Sequence, residues 1–187
     1  SQGEYDRGEG ELSDAASALD WLQQHNPESP GCWVAGFSFG SWIGMQLLMR
    51  RPEIDGFISV APPANMFDFT FLAPCPSSGL MLMGDKDELV THDSVVKLVK
   101  KLSAQRDIEV THQIIKGANH FFTEHLPEME DAVRTYVVNA TTAAKAAGGL
   151  TPPLAGASRE ISLRRSSLRA PCRARLRSSA RVFRRGP

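Results

Sequence analysis

A chain of 187 residues with 42% hydrophobic side chains is one domain in length and carries enough apolar surface to build a core. No apolar run reaches the roughly 18 residues of a membrane span. Ser1 to Asp6 shows neither the basic start nor the apolar stretch of a signal peptide, and the three cysteines (32, 75 and 172) are odd in number and widely spaced, which points to a reducing, cytoplasmic setting and away from disulfide frameworks and CxxC-type metal sites. The net charge of zero conceals a division: residues 151–187 hold ten arginines against one acid, Glu160, a net of +9 that leaves −9 for residues 1–150.

In chain order, Leu12, Ala15, Ala16, Leu19 and Leu22 recur at helical spacing, and Asn26-Pro27 ends the run. Cys32 to Ala35 is a short, wholly apolar strand of the kind buried on both faces. Gly36 to Gly40 turns the chain into a helix through Trp42, Ile43, Met45, Leu47 and Leu48 that stops at Arg51-Pro52. Phe57 to Ala61 is the second strand, and a proline-bearing loop from Pro62 to about Gly79 follows, too short for a separate helical lid. Leu80 to Met83 is the third strand. Val95, Val96, Leu98, Val99 and Leu102 mark a helix capped by Thr91 or Asp93, Ile108 to Ile115 is the fourth strand, and Pro127 to about Ala143 the last helix. Strands alternating with helices define an α/β fold: one parallel sheet of about four strands with helices on both faces. In such sheets the reactive residues gather beyond the carboxyl ends of the strands.

The composition changes at the Ala- and Gly-rich stretch Ala143 to Gly149. We therefore expect a domain over residues 1–148 and an Arg-rich disordered tail over 149–187, too poor in large apolar residues to offset its ordering entropy. Such a tail attracts nucleic acid or an anionic membrane electrostatically, but it has almost no interleaved aromatics and no binding motif. A solvated extension is the reading, with neither nucleic acid nor a membrane expected as a partner.

Gly36-Phe37-Ser38-Phe39-Gly40 places a serine at the junction of an apolar strand and an amphipathic helix. A sharp turn there strains the serine backbone, and Gly36 and Gly40 leave room for the crossing of strand and helix. The helix start behind Ser38 favours developing negative charge, and the Phe39 backbone N–H can face an oxyanion. A serine hydroxyl needs a base to take its proton and a third group to orient that base. Asp87 follows the third strand in Gly84-Asp85-Lys86-Asp87-Glu88, and His120 follows the fourth in Gly117-Ala118-Asn119-His120. Serine, acid and histidine thus occur in the chain order that a nucleophile-elbow site uses.

Each assignment has rivals. Asp85 suits a turn residue that bonds its own backbone, Asp68 is a remote alternative acid, and Glu88 reads as a solvated charge. His125 reads as the surface entrance to the last helix, His25 as a helix-terminal surface residue, His92 as part of a helix start, and His112 as a satisfied structural histidine inside a strand. No His/Asp/Glu cluster has metal-ligand spacing, so neither metal nor cofactor is expected. Phe37, Phe39, Met66, Phe67, Phe69, Phe71, Phe121 and Phe122 either line an apolar substrate pocket or belong to the core.

The elbow, the Gly84–Glu88 segment and Gly117-Ala118-Asn119-His120-Phe121-Phe122 resemble the α/β-hydrolase superfamily, in its small lidless bacterial branch of dienelactone-hydrolase-like esterases, over roughly residues 1–140. The resemblance implies a Ser38–Asp87–His120 triad, a small or medium ester as substrate, and an acyl-serine intermediate; a non-catalytic binding module of the same fold is the alternative. It also implies that these strands are the second half of a larger sheet. The strand at Cys32–Ala35 is then expected to be an open edge prone to aggregation. A second oxyanion donor is expected to lie ahead of Ser1, so the chain by itself is expected to be poorly stable and nearly inactive.

Overall fold

The computed structural model describes residues 3–146; the tail read from the sequence lies outside the described residues. The chain order is α1 (Glu9–His25), β1 (Trp33–Phe37), α2 (Phe39–Leu48), β2 (Gly56–Val60), β3 (Gly79–Gly84), α3 (His92–Ser103), β4 (Val110–Ile115) and α4 (Leu126–Ala146). The four strands pair in sequence order, β1-β2-β3-β4, and every pairing is parallel. Because the sheet advances in one direction, right-handed crossovers demand that α2 and α3 share a face. They do: Met45, Leu48, Leu98 and Leu102 meet Phe57 and Met81 in one cluster, which Leu19 of α1 joins. The next residue along each strand points the other way. Ile58, Val60, Leu80 and Leu82 accordingly meet Ala132 on α4, with Met129, Val133 and Tyr136 packed against them.

β2 and β3 are buried along their whole length, whereas β1 pairs only with β2 and is half-exposed, Phe37 being 42% exposed. The expectation of a strand buried on both faces therefore does not hold for β1, which stands at the rim of the described sheet. Apolar composition states what a strand is able to bury, not how many neighbours cover it. Thr91 occupies the N-cap of α3, yet its side chain makes no capping bond; instead the Ser94 hydroxyl donates to the Thr91 carbonyl. Between β2 and β3 the chain forms turns and bends without a helix or strand. No helix among the described residues is long and apolar enough to cross a membrane.

His112 lies inside β4 as expected, but it is not satisfied: its Nε2 is buried with no hydrogen-bond partner. Burial, and secondarily the charge of His92, hold this imidazole below its ordinary value. The native state thus favours the neutral ring. The stability it contributes is present in full above the unfolded value of about 6.5 and is lost as pH falls from there through the folded value. Urea midpoints are expected to drop between pH 7.5 and pH 5 in the wild type and to drop less in His112→Gln. An unchanged pH slope in the variant would assign the acid sensitivity elsewhere.

Candidate active site

Ser38 is the residue between β1 and α2, with φ 50° and ψ −122°, a conformation that costs a side chain about 1–3 kcal/mol. Its neighbours hold it there. The Ser38 N–H donates to the Val60 carbonyl at 2.8 Å, while the Ser38 carbonyl accepts from the Ser41 N–H at 2.9 Å and the Ser41 hydroxyl at 2.6 Å. A Cβ on Gly36 would lie 2.3 Å from the Gly40 carbonyl oxygen and 2.6 Å from the Ser41 Cα, so only glycine lets helix and strand approach this closely. Gly40 does not share that role, since a Cβ there would meet nothing within 4 Å. Being the first residue of α2, Phe39 has its N–H outside the helix ladder, next to the serine and at the positive end of the helix dipole.

The loops after β3 and β4 complete the arrangement. Ser38 Oγ lies 3.0 Å from His120 Nε2, and His120 Nδ1 lies 2.8 Å from Asp87 Oδ2. A carboxylate only accepts, so Nδ1 carries the hydrogen and Nε2 is left free to accept from the serine hydroxyl. The second carboxylate oxygen, Asp87 Oδ1, accepts the N–H groups of Leu89 and Val90 at 2.9 and 2.7 Å. The side chains of Asp87 and His120 are 0% and 2% exposed, so bulk water competes for neither bond. Chemically, such a line makes the hydroxyl nucleophilic and gives its proton a place to go.

The rival residues occupy other positions. Asp85 does not bond its own turn; its Oδ1 accepts the Gly117 N–H at 2.5 Å, across 32 residues of sequence. Glu88 is exposed, but more than a solvated charge, since Oε2 accepts the His120 N–H at 3.3 Å. Asp68 is spent on Thr70, accepting both its N–H and its hydroxyl. His25 stacks on Trp21 at the end of α1, His92 opens α3, and His125 directly precedes α4.

The aromatic residues divide between core and site. Phe69 (5% exposed) and Phe122 (1%) are core, and Phe71 is partly buried against the core. Phe67 stacks on Trp42 at 4.6 Å and lies 5.6 Å from the Phe39 ring. Phe37 rests against the His120 ring at 5.1 Å, and Phe121, 59% exposed, flanks the same ring at 5.1 Å. Phe37 and Phe121 also border an apolar groove of about 420 Å³ that continues over Ile58, Val60, Leu126 and Met129.

A parallel sheet with helices on both faces, and a serine at the turn from a strand into a helix, define a partial α/β-hydrolase fold. The chain belongs to the dienelactone hydrolase family, whose model matches residues 4–148. It is 49% identical over 142 residues to an uncharacterized protein of Rickettsia prowazekii, covering 74% of this chain and 60% of that protein's length. Among solved structures, a protein of unknown function from Agrobacterium tumefaciens is 56% identical, with a TM-score of 0.74 over 76% of this chain and 66% of that one. A lidless α/β serine hydrolase from Xanthomonas campestris is 29% identical, with a TM-score of 0.66 over 74% of this chain and 61% of that one. The chain thus spans about 60% of the length of the curated relative it matches.

Proposed function

We propose that this chain carries the catalytic residues of a serine hydrolase that cleaves carboxylic esters of small or medium size through an acyl-serine intermediate. The observation that carries the reading is the unbroken hydrogen-bonded line from Ser38 Oγ through His120 to Asp87. Membership of a hydrolase family and likeness to a lidless serine hydrolase support it. Ser38 Oγ attacks the ester carbonyl carbon as its proton passes to His120 Nε2, and the carbonyl oxygen becomes an oxyanion facing the Phe39 N–H. The imidazolium that forms is stabilised by Asp87. Collapse of the intermediate breaks the bond to the alcohol oxygen, which takes the proton from Nε2 and leaves. Water then attacks the acyl-serine carbonyl and gives its proton to His120. The second tetrahedral intermediate releases the acid, and the proton returns to Ser38. Phe37 and Phe121, exposed beside His120, offer the apolar part of the substrate a surface.

A fluorophosphonate tests this directly, because it forms a covalent bond only with an activated hydroxyl. Mass spectrometry is expected to find the adduct on the peptide containing Ser38 and to find none in Ser38→Ala. Because the chain by itself is expected to react slowly, the comparison is made within it, at excess probe and long incubation. A folded wild-type chain with no more Ser38 adduct than its His120→Ala variant would sink the ester-hydrolase reading in favour of a binding module with this fold.

A further inference from the structure

Asp87 and His120 stand on two different loops, residues 85–91 after β3 and 116–125 after β4. The 2.8 Å contact between their side chains therefore depends on how the loops are held together. Cross-links run at nearly every step. The Asp85 N–H donates to the Ile115 carbonyl at 3.1 Å, and the Lys86 N–H to the Ala118 carbonyl at 3.0 Å. The Gly117 N–H donates to Asp85 Oδ1, and the His120 N–H to Glu88 Oε2. Gly117 is where the chain leaves β4, at φ +85°, beyond the strand pairing that ends with Gly84 opposite Ile115. The ladder supplies no acceptor for its N–H, and Asp85 supplies one that is anionic, short and fixed to the acid's own loop.

We infer that Asp85 is a positioning residue for His120: its carboxylate pins the start of the histidine loop to the acid loop and so sets the imidazole between Asp87 and Ser38. The inference rests on the reading of Ser38, Asp87 and His120 as the catalytic residues. Asp85 touches neither the reacting atoms nor the imidazole and acts through the Gly117–His120 backbone. Its side chain is exposed, so the link is of moderate strength, and its effect is on alignment.

The test compares Asp85→Ala with Asp85→Asn in the full chain, because the carboxamide oxygen of asparagine still accepts the Gly117 N–H. Asp85→Ala is expected to slow fluorophosphonate labelling of Ser38 and to lower kcat for p-nitrophenyl acetate by about threefold to tenfold, with KM unchanged. Asp85→Asn is expected to stay within about twofold of the wild type. A second readout is independent of turnover: the low-field proton resonance of His120 Nδ1–H, assigned by its loss in His120→Gln. It is expected to be sharp in the wild type and Asp85→Asn, and broadened or absent in Asp85→Ala. Wild-type rates together with a wild-type resonance in Asp85→Ala would overturn the inference. A wild-type chain that shows the resonance but labels no faster than its His120→Ala variant would defeat the ester-hydrolase reading instead, and the resonance would then decide the inference by itself. If thermal melting shows Asp85→Ala unfolded, Asp85→Glu, which displaces the carboxylate by one methylene, is expected to shift the resonance and slow labelling in the same direction; no change in either would count against it.

Discussion

Asp87→Asn is expected to lower kcat for an activated ester by about 10⁴-fold relative to the wild-type chain, while the thermal midpoint stays close to wild type. The reason lies in how the carboxylate is used. One oxygen, Oδ1, accepts two backbone N–H groups, from Leu89 and Val90, and the other faces His120 Nδ1. Asparagine has a single acceptor oxygen, and two backbone donors hold it at the Oδ1 position. Its NH₂ group then faces the imidazole. A donor opposite Nδ1 forces the other tautomer, with the hydrogen on Nε2, and the ring then offers Ser38 a donor where the hydroxyl needs an acceptor. The loop keeps its bonds, so the fold is retained while the chemistry is lost. Turnover by Asp87→Asn within about tenfold of wild type, or Nδ1-protonated imidazole in its nitrogen NMR spectrum, would show that Asp87 does not set the tautomer.

The same contacts show what the sequence was able to reveal. Apolar spacing, punctuated at several boundaries by Pro, Gly or Asn, located the strands and helices of the described residues, because each element's own side chains determine which surface it must bury. The predicted second strand, Phe57 to Ala61, lies one residue from the observed Gly56–Val60. Ser38, Asp87 and His120 were legible as candidates because each follows a strand in a parallel sheet, and the structure brings the three side chains together. What escaped depends on partners distant in sequence. Asp85 looks like a residue for its own turn until Gly117 is placed opposite it. His112 looks satisfied until its Nε2 is found without a partner. Gly36 and Gly40 are equivalent in the motif, but only Gly36 faces backbone atoms that a Cβ would strike. The apolar residues of β1 taken alone suggest a strand covered on both faces, whereas the family resemblance anticipates the edge position that β1 has in the described sheet. Phe67 and Phe69 alternate within one loop, and it takes the packed core to send Phe69 inward while Phe67 stacks on Trp42.

Close approach of backbone to backbone also governs the second large effect, at Gly84. A Cβ added to this last residue of β3 would lie 2.1 Å from the Ala118 carbonyl oxygen and 2.7 Å from its carbonyl carbon, atoms that no side-chain rotation moves aside. Either β3 or the histidine loop must shift. β3 is fully buried and paired on both sides, with β2 and β4, so the loop is the softer partner. As Ala118 retreats, the bond from the Lys86 N–H to its carbonyl stretches, and His120, two residues on, moves away from Asp87 and Ser38. Gly84→Ala is therefore expected to cost about 1–3 kcal/mol in stability through overpacking. Misplacement of the imidazole by about an ångström is expected to lower kcat by about 10²-fold. Urea unfolding and turnover of the same preparation measure the two separately. Ala118→Gly provides the discriminating control: it removes only the 3.0 Å contact with the Ala118 Cβ and leaves the clash with the carbonyl in place. The double variant is expected to remain as slow as Gly84→Ala. Recovery of turnover in the double variant would mean that the side chain of Ala118, and not its backbone, sets the distance between the two loops.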